Sequence, residues 1–467
     1  MADKPGIKDT QEPAEDEISP GVHHAPWEHS FRKVITPFEE FIKNQTTGGI
    51  ILMVCLVIAL LIANSPLAGI YQQIVNAPIA LTIGDFVLEK SLHHWVNEGL
   101  MALFFFVMGL EIKRAILVGE LSSPRKAALP IVAALGGMIV PALLYYWINP
   151  EGSAAHGWGI PMATDIAFAV GVLVLLGSRI PRSLVMFLVA LAIADDLGAV
   201  LVIALFYTEQ IALGYLVSAL ALLVVLIVFN LGGIRHPVPY FIIALLLWLM
   251  LLKSGVHASI AGVLGAFTVP ARFKYDTLQF SRHMRELMER FDASQRPDMD
   301  IRTNEAQRIV LRTLERNIEL VDTPLQRLEH LYHLPVALLV IPIFALANAG
   351  VPIAFDTIWA ALHHPVTLGV TIGLVLGKFL GITGSCWLAL KLNIGQLPEH
   401  TEFRHIAGVS LLGGIGFTMS LFIAELAFAG HAEQLLMAKL GILCASLVAG
   451  VLGYVWLLLT TRRAGLR

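Results

Sequence analysis

The feature that most constrains this chain is a recurrence of long stretches almost free of charge. Each is near the 20 residues a helix needs to cross a hydrocarbon layer ~30 Å thick. Twelve are read, near 48–64, 94–111, 128–148, 159–178, 183–206, 211–230, 238–252, 255–270, 334–350, 366–390, 405–428 and 435–459, several of them short or broken by glycine. Composition agrees, since 56% of the 467 residues are hydrophobic and only 14% are charged, against roughly a quarter charged in a soluble domain. The stretches are apolar at consecutive positions, not alternate ones, which excludes the strands of a membrane barrel. The expected fold is an all-α polytopic membrane protein.

Lysine and arginine placement orients it. With both termini inside, the inner connections hold Lys113, Arg114, Arg125, Lys126, Arg179, Arg182, Arg235, Lys391, Arg404, Arg462, Arg463 and Arg467, whereas the outer ones hold mainly Lys90 and Lys253. This asymmetry predicts cytoplasmic termini. The organisation read is a cytoplasmic tail with an interfacial helix over 1–46, helices one to eight over 47–270, and a charged cytoplasmic loop over 271–332. Helices nine to twelve follow over 333–460, with a short cytoplasmic tail over 461–467. Within the first part, 24–44 alternates apolar and charged residues at helical spacing, as a helix lying on the inner surface would.

The stretch PIALTIGDFVLEKS places β-branched residues around the turn dipeptide Gly84-Asp85 and reads as an outer hairpin. A lone hairpin is marginal in water, so a homodimer paired through residues 78–90 is expected. The three cysteines, Cys55, Cys386 and Cys444, lie inside apolar stretches without CxxC spacing and read as packing residues. Net charge is −3; no cofactor and no nucleic-acid partner are expected, only the lipid bilayer and small ions.

Against this background the buried ionisable residues stand out. A carboxylate at the bilayer centre costs about 2.5–3.5 kcal/mol on insertion scales and calls for a reason. Asp165 lies in GIPMATDIAFAVGV, where Pro161 interrupts backbone pairing and Thr164 supplies a hydroxyl. Asp195 and Asp196 are adjacent in LAIADDLGAV. Lys378, in GLVLGKFLGI, is their basic counterpart. In the second half, LLGGIGFTMSLF carries a second break around Gly414 and Gly416. Two interrupted spans in corresponding halves point to a transport site where helix ends and bare carbonyls meet near the midplane.

There Asp165 would balance positive helix N-ends and Lys378 negative C-ends. Neighbouring carboxylates in a poorly hydrated place repel, so the pair Asp195-Asp196 favours carrying a proton or a small hard cation between them. Oxygen donors such as Asp196, Asp195 and Thr164 suit a cation of the sodium kind. The simpler reading, a buried polar pair held by Lys378, would need only one aspartate.

These residues resemble the NhaA-type sodium/proton antiporters, over about 38–456 except the 272–326 insertion. The motifs that carry the resemblance are ATDIAFA, ALAIADDLGA, KSGVHASIAG, LANAGV, GKFLGI and GIGFTMSLFIAELAF. The rule about interrupted spans was itself drawn partly from this family. The resemblance implies twelve transmembrane helices in two inverted repeats, with two discontinuous helices, the fourth and eleventh, crossing. It implies that Asp196 is the principal cation ligand and that Asp195 shares the proton work, with Thr164 and Asp165 flanking the cation. It further implies electrogenic exchange of Na+ or Li+ for H+ by alternating access, in the service of sodium and pH homeostasis. The same analogy assigns pH regulation to Glu111, Glu329 and His257, although a packing role is commoner for such a histidine. Two departures, Ala115 where glutamate is expected and the inserted loop, bear on the pH profile.

Other classes fit less well. An intramembrane aspartyl protease needs its carboxylates on separate helices around one water, and adjacent residues do not provide that. A sodium-coupled symporter would have less use for Lys378, and a channel would show a repeated filter sequence. No enzymatic activity is expected.

Overall fold

The computed structural model describes residues 45–83, 86–208, 211–272, 277–296, 300–321, 323–352, 359 and 361–461. The interfacial helix expected over 24–44, the turn Gly84-Asp85 and the arginines of the C-terminal tail lie outside these residues.

The chain opens with α1 (Gln45–Ala63) and α2 (Ala68–Val75), bent 115° apart. The hairpin follows as β1 (Pro78–Ile83) and β2 (Phe86–Ser91), antiparallel, with Thr82 opposite Val87. A helix then begins at Leu92, passes through a wide π turn at Trp95–Leu100 and continues as α3 (Met101–Leu117). Next come α4 (Pro124–Ile148), a 3-10 helix at Ser153–Met162, α5 (Ile166–Val174) and α6 (Arg182–Phe206). The helices α7 (Leu213–Leu231), α8 (Pro237–Ser254) and α9 (Ile260–Thr268) complete the first part.

Seven helical runs among the described residues are long and apolar enough to cross a membrane, or ten if each of three bent pairs counts as one span. Their outward faces are apolar too: Leu213, Leu231, Leu205 and Leu459 are each at least 70% exposed. Exposed leucine at that density suits lipid, not water.

The charged insertion is helical. It contains α10 (Thr277–Ala293) and α11 (Glu305–Val321), which pack on each other, with Asn304 Nδ2 donating to the Ser294 carbonyl at 2.7 Å. A capping box at Thr323 starts α12 (Pro324–Pro335), ten residues before the apolar stretch that the sequence marks. This helix runs through a π turn at Val336–Val340 into α13 (Ile341–Asn348). The cap explains the difference: hydropathy marks the apolar end of this helix, while its first turns are polar and amphipathic.

The second part continues with α14 (Pro365–Ile372), a π turn at Gly373–Gly377 and α15 (Lys378–Lys391). The chain closes with α16 (Phe403–Leu412), α17 (Phe417–Ala427) and α18 (Ala432–Thr460).

Small residues decide how closely these helices approach. A Cβ on Gly381 of α15 would lie 2.2 Å from the Gly136 carbonyl oxygen of α4, and one on Gly377 would lie 2.8 Å from the Pro141 Cα. In lipid, such backbone-to-backbone packing takes over the role that apolar burial plays in water. It holds α15, and with it Lys378, hard against α4.

Candidate functional site

Of the three bent helix pairs among the described residues, two meet at their breaks. The first bends 42° between the 3-10 helix ending at Met162 and α5; the second bends 48° between α16 and α17. The linking residues are Ala163 to Asp165 in one and Gly413 to Gly416 in the other. The Asp165 N–H donates to the Ile415 carbonyl at 2.7 Å, and Thr164 Oγ1 donates to the Gly413 carbonyl at 2.8 Å. Ser420 Oγ donates to the Ile160 carbonyl at 2.8 Å. The freed backbone groups of each break are thus served partly by the other, as burial in an apolar setting demands. Gly414 lets the second break lie against the π turn at Gly373–Gly377, because a Cβ there would meet the Leu374 carbonyl oxygen at 2.5 Å.

Asp165 caps two helices at once. Its Oδ1 accepts from the Phe168 N–H at 3.0 Å at the start of α5. Its Oδ2 accepts from the Thr418 N–H at 3.0 Å and the Thr418 hydroxyl at 2.6 Å at the start of α17. Each helix N-terminus carries about half a positive charge, so one carboxylate offsets both. Thr418 escaped the sequence reading; the available signal was a hydroxyl residue two positions after the last glycine of the break.

Lys378 sits where the π turn hands over to α15. Its Nζ donates to Asp195 Oδ2 at 2.5 Å and to Thr164 Oγ1 at 3.0 Å. Thr164 passes the interaction on to the Gly413 carbonyl at the C-terminal end of α16, where the helix dipole is negative. The lysine stem passes beside Gly137 of α4, where an added Cβ would lie 3.7 Å from Lys378 Cδ.

Asp195 and Asp196 lie in the interior of α6, about 100° apart around it. The five polar residues Thr164, Asp165, Asp195, Asp196 and Lys378 are all buried, none more than 2% exposed. Their partners differ. Asp195 holds Lys378 through Oδ2 while its Oδ1 is unpaired, and neither Asp196 oxygen has a hydrogen-bond partner among the described residues.

The charges can be counted. Asp195 cancels Lys378, and Asp165 is matched by two helix N-ends. Asp196 alone remains without an opposite charge. A buried carboxylate left so costs several kcal/mol, and either a proton or a small cation would relieve that cost. All five side chains are buried, so any exchange with water requires the surroundings to part.

The three remaining residues singled out by sequence fall elsewhere. Glu111 faces His333 at 3.0 Å, and Glu329 pairs with Arg114 at 3.0 Å, which puts both acids in one cluster where α3 meets α12. His257 lies at the opposite end of the bundle. Its Nε2 is 2.6 Å from the Tyr207 carbonyl, and its Nδ1 is 3.7 Å from Glu98, whose Oε2 accepts the Ala258 N–H. Ala115, the departure noted in the sequence, is buried in α3. No group of three or more His, Cys, Asp or Glu suited to a metal occurs among the described residues.

A family model described as Na+/H+ antiporter 1 matches residues 39–457. The chain is similar to a protein named Na(+)/H(+) antiporter NhaA 1 from Saccharophagus degradans, 55% identical over 92% of this chain and 93% of that one. It is also similar to proteins named Na(+)/H(+) antiporter NhaA. The one from Sulfurimonas denitrificans is 52% identical over 93% of this chain and 98% of its own. The one from Syntrophobacter fumaroxidans is 51% identical over 94% and 93% respectively.

Proposed function

This chain belongs to the Na+/H+ antiporter 1 family, and on that premise we propose that its exchange of sodium for protons runs through the Asp195-Asp196 pair. It is a multi-pass membrane transporter, not an enzyme. The observation that carries the site assignment is the uncompensated Asp196 carboxylate beside an Asp195 that Lys378 already neutralises.

The mechanism follows from that imbalance. Asp196 takes either one sodium ion or one proton to balance its charge, so the two ligands compete. Thr164 and the carbonyls of the two breaks supply the further oxygen donors that a hard cation needs. The Asp195–Lys378 pair is a second titratable unit in direct reach, so more protons than sodium ions can move per cycle and the membrane potential contributes to driving. Alternating access opens the closed site to one face at a time. Lithium, smaller and also a hard cation that prefers oxygen donors, follows sodium.

The same reading includes twelve helices in two inverted repeats, with the broken rods crossing at the membrane midplane. The termini face the cytoplasm of a bacterial cell, which puts the hairpin outside and the Glu111–Glu329 cluster inside. That cluster and His257 adjust the response to pH, and a second subunit pairs through the 78–90 hairpin.

The test uses inverted membrane vesicles with an imposed proton gradient, to which sodium, lithium or potassium is added while internal pH is followed. Sodium and lithium are expected to dissipate the gradient, potassium is not, and Asp196→Asn is expected to be silent. Full activity in Asp196→Asn would end the assignment of the site.

A further inference from the structure

Above the site, towards the hairpin, one face of α17 carries Thr418, Phe422 and Glu425 at positions i, i+4 and i+7, which stack along a helix over ~10 Å. Thr418 bonds Asp165. Phe422 packs against Phe105 of α3 and Phe344 of α13, with ring centroids 5.3 Å and 6.4 Å away, and all three rings are buried. Glu425 lies beyond that aromatic layer, in a polar network unconnected to the transport residues. Its Oε1 is 2.6 Å from Lys439 Nζ of α18 and 3.4 Å from His93 Nε2.

The network continues sideways. His93 Nε2 is 2.9 Å from Asn348 Oδ1 at the end of α13, and Asn348 Nδ2 donates to Asn97 Oδ1 at 2.9 Å. Glu425 and Lys439 are mostly buried, while His93 is 27% exposed. Four separate pieces of chain, the Leu92–Leu100 turns, α13, α17 and α18, are therefore tied together around one carboxylate. Nothing in sodium or proton binding at Asp196 calls for this, and a buried ion pair is poor evidence of stability alone.

We propose that Glu425 and His93 are positioning residues that hold the outer side of the transport path shut. Phe105, Phe344 and Phe422 form a dry plug beneath them. A path to Asp165 and Asp196 along this face of α17 requires α17 to part from α3 and α13. The His93–Glu425 contact is the polar link that must break when it does, while the His93–Asn348 contact keeps His93 with α13. Breaking it exposes groups that water can solvate, so the latch is reversible, whereas the plug excludes water until it separates. This inference rests on the alternating-access reading of Asp196.

The direct test places cysteines at His93 and Glu425 in a background without Cys55, Cys386 and Cys444, and bridges them with a reductively cleavable bifunctional thiol reagent in proteoliposomes. Bridging is expected to cut sodium-driven proton movement by about tenfold or more, and reduction to restore it. Undiminished exchange through the bridge, or failure of the thiols to bridge, would overturn the latch while leaving the role of Asp196 standing. Silence of Asp196→Asn reports on that role separately. A second measurement avoids the cysteine background: in Glu425→Gln or His93→Asn, weakening the latch populates the outward-open form. The half-saturating sodium concentration at the outer face should then fall relative to the inner face by about threefold. An unchanged ratio would mean that these residues only pack.

Discussion

Lys378 shows how much one side chain settles. Its ammonium balances Asp195 and reaches the C-terminal end of a broken helix through Thr164. Removing it leaves a buried carboxylate alone, an error worth ~3–5 kcal/mol. We therefore expect Lys378→Met to unfold at a clearly lower temperature in detergent, and the double variant Lys378→Met with Asp195→Asn to recover most of that loss. Unchanged unfolding in the single variant would mean that the pair is not formed in solution. Asp195, Asp196, Asp165 and Lys378 were legible in the sequence because ionisable groups are rare inside apolar runs. The unequal partnering of Asp195 and Asp196 was not, since adjacent residues on a helix look alike until the neighbouring helices are known. Thr418 and Glu425 were missed for different reasons: a threonine is unremarkable in a membrane helix, and Glu425 lies near the end of its span, where an acid needs no special explanation.

At the scale of elements, glycine and proline set the shape. Pro161 and the Gly413–Gly416 segment mark the two breaks from sequence alone. The three π turns among the described residues, at Trp95–Leu100, Val336–Val340 and Gly373–Gly377, left no such mark, because an extra residue in a helical turn does not alter hydropathy. The close approach of α4 and α15 is equally silent in one sequence. It can be tested by Gly381→Ala, whose Cβ would strike the Gly136 carbonyl oxygen, against Gly384→Ala, where nothing lies within 4 Å. We expect the first to lose about 1–3 kcal/mol and to slow transport by shifting Lys378. The second should be neutral on both counts. Equal effects would show that the helices do not pack as described.

For the whole molecule, the length of the apolar stretches and their consecutive apolar positions foretold a helical membrane bundle. How the two broken rods meet came from their hydrogen bonds, which no local pattern encodes. The hairpin is present in the expected place, with Thr82 exposed in β1. A cysteine at Thr82 should cross-link between subunits in native membranes; links confined to single chains would argue against pairing there. Competition between sodium and protons for Asp196 is read out by adding sodium to the purified protein in weakly buffered detergent solution and measuring released protons. At least one proton should be released per sodium bound, and none from Asp196→Asn. Sodium binding without proton release in the unaltered protein would contradict it.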